Sequence, residues 1–143
     1  MDGTRAVLAA LGSVPDRLAI APRIVNREPP SPGEWTPSDV VRHLIAVERE
    51  VWQPRLAQLA TEDHPIWAWA EPDRWTDKPG APLQRLVEVY RDARASTVDI
   101  LAALGDDGWA RIGSHSTFGE VDVAGLMSRA VEHDEEHLHS LER

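Results

Sequence analysis

Apolar positions recur at helical spacing in four blocks, separated by runs rich in proline, glycine and polar residues. The first block runs from about Thr4 to Val25, with a break expected near Gly12 to Pro15. "NREPPSPGEW" (26–35) cannot be helical and reads as a connector. The second helix has a marked start: Thr36 as N-cap, Pro37 at the first helical position and Asp39 completing a capping-box arrangement. Val40, Leu44, Val47 and Val51 then recur on one face, and Pro54 should kink the helix near its end. A third helix follows Pro82, its apolar stripe running through Leu83, Leu86, Val87, Tyr90, Ala93, Val98, Leu101 and Leu104. "GDDGWARIGSHSTFGE" (105–120) reads as a loop, and a fourth helix begins after Asp122, its N-cap.

Four helices with no convincing strand predict an all-α four-helix bundle. The connection 61–81, "TEDHPIWAWAEPDRWTDKPGA", is rich in proline and tryptophan and has no lasting period. It is long enough to return the chain across a helix length, so helices 2 and 3 are expected to run parallel and helices 2 and 4 antiparallel. A loop of that length in a compact fold is often functional.

Composition narrows the class. The 143 residues suit one domain, 1–143, with a sizeable core. A formal charge of −9 without a basic stripe argues against nucleic acid. No apolar run approaches a membrane span, and the N-terminus does not read as a signal peptide, so a cytoplasmic location is expected. With no cysteine, disulfides and thiolate metal sites are excluded.

That leaves the histidines, of which there are six. In "EHDEEHLHSLER" (132–143), His133 and His137 project about 40° apart on one helix face, continuing the stripe of Leu126, Ala130 and Leu141. His139 should face solvent. His43 lies near Val40 and Val47 on the inward side of helix 2. It sits about 10 Å into that helix, and His137 lies about 9 Å from the end of helix 4. Antiparallel packing would bring the three imidazoles level inside one end of the bundle. A single inward histidine is more often a hydrogen-bonded core residue, and an HxxxH pair can be a solvated one. Matched depth on two helices favours a metal site.

The chain resembles the DinB-like (DinB/YfiT) superfamily of small helical bundles. The resemblance rests on "GEWTPSDVVRHLIAVERE" (33–50), "WQPRL" (52–56), "GWARIGSHSTFGEVDVAGLM" (108–127) and "HDEEHLHSL" (133–141). It implies a four-helix bundle with a long second connection, and a divalent metal held by one helix-2 histidine and a helix-4 HxxxH pair, here His43, His133 and His137. His115 matches a loop histidine outside that triad. Family members of known activity are mostly transferases or isomerases that use a small cellular thiol, and many form dimers, so a homodimer is an expectation.

Three imidazoles would leave a divalent ion an open position, as in catalytic sites, and all-nitrogen ligation suits Zn, Ni or Fe. Because the chain has no cysteine, a thiol nucleophile must arrive on a low-molecular-weight cosubstrate. The leading expectation is therefore a thiol-dependent S-transferase or isomerase acting on a small-molecule substrate. The alternatives are a hydrolase using metal-activated water, and a non-catalytic metal- or ligand-binding stress-response module. Trp35 and Trp75 are expected at the mouth of the site, with Arg27 and Arg74 available to an anionic substrate. Trp52 and Trp109 read as core or loop anchors, and Trp67 and Trp69 stay open between the two roles. Glu50 is a candidate base or ligand partner on the His43 side, and Glu48 and Arg55 are expected in structural ion pairs.

Overall fold

The structure is a computed structural model describing residues 2–26, 31–70, 72 and 80–143. In chain order the helices are α1 (Asp2–Ile20), α2 (Pro22–Val25), α3 (Pro37–Val47), α4 (Gln53–Thr61), α5 (Leu83–Ala102), α6 (Asp106–Trp109) and α7 (Val123–Glu142). Three short strands, β1 (Ile66–Trp67), β2 (Ile112–His115) and β3 (Gly119–Asp122), form one small sheet. The bundle is made by α1, the α3–α4 pair, α5 and α7. None of the described helices is long and apolar enough to cross a membrane.

Side-chain contacts give the helix directions. Trp35 stacks on His137, His43 meets both His137 and His133, and Trp52 meets His133, so α3 and α7 are antiparallel. Val40, Val41 and Leu44 share a core cluster with Leu86, Val87 and Tyr90, whereas Glu48 and Gln53 bond to residues 93–97. The α3 and α5 helices therefore run parallel, as the long connection between them requires.

The break predicted near Gly12 to Pro15 does not occur: α1 continues through Pro15 and ends at Ile20. Leu11, Val14 and Leu18 are each at most 1% exposed. Fully burying such side chains stabilises by about 1.5–3 kcal/mol each, which outweighs the roughly 3 kcal/mol cost of an interior proline. The chain turns instead at Ala21, before Pro22 opens the next short helix.

At the start of α3, the Thr36 hydroxyl accepts from Asp39 N at 3.0 Å and the Asp39 carboxylate accepts from Thr36 N at 3.1 Å, closing the expected capping box. Further along, the kink expected from Pro54 takes the form of a π-helical turn over Glu48–Trp52, with Gln53 N donating to Glu48 O. Proline lacks the N–H that would continue the α ladder, and the chain absorbs the defect one turn earlier by adding a residue. The turn carries Glu48 into the core, where it is 1% exposed. There Arg94 Nη2 lies 2.5 Å from Glu48 Oε1 and Arg94 Nη1 lies 2.9 Å from Asp134 Oδ2. Thr97 donates to Glu48 Oε2 at 2.6 Å. One cation thus ties the π-helical turn, α5 and α7 together, and it also donates to Leu11 O of α1.

The segment 105–120 is not a plain loop, and the absence of strands does not hold. Residues 112–115 and 119–122 form an antiparallel hairpin, and 66–67 pairs parallel with β2. These strands are too short to show an alternating pattern, and tertiary contact stabilises them. Trp67 lies against Gly113 so closely that a Cβ there would stand 2.6 Å from its ring. The Trp67 indole N–H donates to Gln58 Oε1 at 2.7 Å. Gly119 closes the hairpin at φ +73°, a conformation that favours glycine. The sheet pins residues 66–67 of the long connection beside α4, sets the Ala68 carbonyl on Arg55 and brings Trp69 and His115 to the cavity of the histidines.

Candidate metal centre

The capping box and buried stripe of α3 position His43, and the Leu126–Ala130–Leu141 stripe of α7 positions His133 and His137. The structure brings the three together: one ring nitrogen from each lies within 4.8 Å of the others. His43 Nε2 and His133 Nε2 are 3.1 Å apart, and the ring centroids of His133 and His137 are 4.6 Å apart. Two nitrogens bound tetrahedrally to one ion at about 2.0–2.1 Å would stand roughly 3.4 Å apart, so the spacing suits an ion shared between them. Burial pushes the His133 pKa down to about 3, with the neighbouring His137 and His43 adding to the effect. Burial also lowers His137, with Glu136 pulling the other way. Imidazoles held neutral are in the form that ligates a metal. His133 Nδ1 is buried without a hydrogen-bond partner among the described residues, and its Nε2 is the nitrogen that faces His43. The donor set and its spacing fit a divalent transition metal.

The histidines open onto a cavity of about 420 Å³. Val47, Val51 and Trp52 form one wall, and Trp69, Phe118 and His115 come from the sheet side. Glu132, Glu136 and Arg129, on α7, also line it, and Arg129 pairs with Glu132 at 3.1 Å. His115 is 4% exposed, and its Nδ1 accepts the N–H of Thr117 at 2.9 Å. The ring proton therefore sits on Nε2. Burial, then Arg55 and Arg129, lowers the His115 pKa and keeps the ring neutral.

Other candidates fall differently. Trp35 packs edge-on to His43 and parallel to His137, and it borders a different groove from the main cavity. Glu50 is exposed and is not among the cavity-lining residues. The π-helical turn explains this: one extra residue turns the following positions by about 100°, which brings Val51, Trp52 and Arg55 to the cavity instead. Arg27, Arg74 and Trp75 lie outside the described residues. Trp52, Trp67 and Trp109 are buried, whereas Trp69 is 62% exposed and lines the cavity. His139 is exposed beside Glu135.

Arg55 departs from the ion pair expected of it. It is 7% exposed and lines the cavity, yet among the described residues no carboxylate pairs with it. Its guanidinium lies 5.9 Å from the Trp52 ring and 5.5 Å from the Trp67 ring, and Nη2 donates to Ala68 O at 3.2 Å. The "WQPRL" stretch marked this arginine, but only the π-helical turn and the sheet contact place it in the cavity.

A helical bundle that sets three imidazoles at the edge of a cavity belongs to the class of four-helix proteins with a candidate metal centre. More narrowly, the chain belongs to the DinB superfamily, whose family profile matches residues 4–141. Among solved structures it is similar to YfiT from Bacillus subtilis, with a TM-score of 0.76 and 20% identity over 96% of this chain and 83% of that one. YfiT is described as a probable metal-dependent hydrolase with an unusual four-helix bundle topology. No curated protein matches this sequence.

Proposed function

We propose that this protein is a divalent-metal-dependent enzyme that activates a small thiol nucleophile against an electrophilic small-molecule substrate. The observation that carries the reading is the opening of the His43–His133–His137 cluster onto the 420 Å³ cavity. His43, His133 and His137 would hold the ion. Once bound, it would lower the pKa of a small coordinated nucleophile and offset negative charge developing on the electrophile.

The chain's own residues do the rest. Apolar walls from Val47, Val51, Trp69 and Phe118 exclude water and suit the carbon skeleton of a substrate. His115, neutral with its proton on Nε2, supplies a hydrogen-bond donor in the same cavity. The chain carries no cysteine, so a thiol must enter from outside, and the cavity has room for one beside an electrophile.

Hydrolysis is the second reading, and a specific observation favours it. Glu132 and Glu136 line the cavity on the helix of the HxxxH pair, where a carboxylate could take a proton from water. The description of YfiT as a probable metal-dependent hydrolase points the same way. One experiment separates the two. The protein is loaded with Zn, Ni or Fe and assayed on chlorodinitrobenzene and on activated esters, with and without a low-molecular-weight thiol. Turnover that requires thiol supports transfer. Ester cleavage at equal rates without thiol overturns it in favour of hydrolysis. Absence of bound metal in wild type after reconstitution overturns both and leaves a binding module.

A further inference from the structure

Resting on that reading, the structure assigns a carboxylate-binding subsite to Arg55 in the same cavity as the three histidines, so that the preferred ligand is a small carboxylate-bearing molecule. The contrast with Arg94 carries the argument. Both arginines are buried, at 7% and 1% exposure. Arg94 is compensated by two carboxylates, Glu48 and Asp134. Arg55 has none among the described residues. A buried cation without a counter-charge is costly, and burial lowers the Arg55 pKa accordingly.

Its geometry is nevertheless held in place. The Trp52 and Trp67 rings flank the guanidinium, and the Ala68 carbonyl takes one N–H. A guanidinium has five N–H donors in a planar fork that matches a carboxylate edge, so most of its capacity is left for a ligand. Trp52 links this subsite to the metal centre, standing 6.5 Å from the His133 ring and 5.9 Å from the Arg55 guanidinium. A ligand with its carboxylate on Arg55 would have its other end directed along the Trp52 wall toward the histidines. His115 lies close enough to feel the Arg55 charge and offers a second donor.

The test is calorimetric titration of phenylacetate and the uncharged phenylacetamide into metal-free protein, which removes direct carboxylate–metal binding. Arg55→Met keeps the buried stem between the tryptophans and serves as the comparison, with melting temperature and metal stoichiometry measured on the same samples. Wild type should prefer phenylacetate by at least about tenfold, the scale of one charge-assisted hydrogen bond. Arg55→Met should abolish that preference while still binding about one metal ion per chain. A preference that survives in Arg55→Met, or wild type that binds neither probe or both equally, overturns the subsite. Wild type that prefers phenylacetate but takes up no metal would overturn the metal reading and leave the subsite standing. Repeating the titration with 3-mercaptopropionate tells whether the carboxylate belongs to the thiol or to the electrophile. A stronger Arg55 dependence for the mercaptan assigns it to the thiol.

Discussion

Metal affinity should resist acid more than an exposed triple-histidine site would. A metal competes with protons for each imidazole. At pH 5, an ordinary imidazole of pKa about 6.5 is protonated in roughly a thirtyfold excess. Three such ligands would weaken apparent binding by about thirty-thousandfold between pH 8 and pH 5. Burial holds His133 at about 3, so it stays unprotonated across this whole range and contributes no loss. The loss should therefore be at most about a thousandfold, and smaller again because burial lowers His137. The assay is competition for Zn against a chelator of known proton affinity, at pH 5, 6, 7 and 8. A fall greater than ten-thousandfold would show all three imidazoles titrating as exposed groups and would refute the reasoning. Stability of the metal-free protein is a poorer readout, because two groups act in opposite senses. The His133 pKa is depressed on folding, so its contribution is present above about 6.5 and is lost as pH falls toward 3. Asp134 is raised to about 6, mainly by burial, so it favours the folded state as pH falls from 6 toward 4.

Other consequences follow from the packing. Arg94→Met would strand the Glu48 and Asp134 carboxylates in the core and should cost about 3–5 kcal/mol, lowering the melting temperature by roughly 10–20 °C; replacing both carboxylates by apolar residues in the same chain should recover most of this in urea unfolding. Gly113→Ala sets a Cβ against the Trp67 ring and the Pro65 carbonyl and should cost about 1–3 kcal/mol. It should also disturb the Ala68 contact to Arg55, so weaker phenylacetate binding is expected beside lower stability. Thr36→Ala removes the cap at the start of α3 and should cost about 1 kcal/mol in urea unfolding, with metal stoichiometry unchanged at neutral pH.

Much of this molecule is determined locally. Capping residues, proline positions and 3.6-residue periodicity depend on neighbours within one or two turns, so α3, α5 and α7 could be read from the chain itself. The same periodicity puts His133 and His137 on one face, and helix length sets the depth at which His43 meets them. What the tertiary structure decided involves contacts that no local pattern records. The continuity of α1 through Pro15 depends on burial against other helices. The strands are too short to declare themselves and exist because Trp67 packs on Gly113. Pro54 announces a defect in the helix, but not its form: the π-helical turn sets Glu48 beside the buried Arg94 and changes which residues face the cavity. Glu50 is turned to the surface by that one extra residue. Arg55, placed by the same turn, faces the cavity and meets no carboxylate among the described residues, because a helical register is a sum over every residue before it, whereas a counter-charge comes from segments distant in sequence.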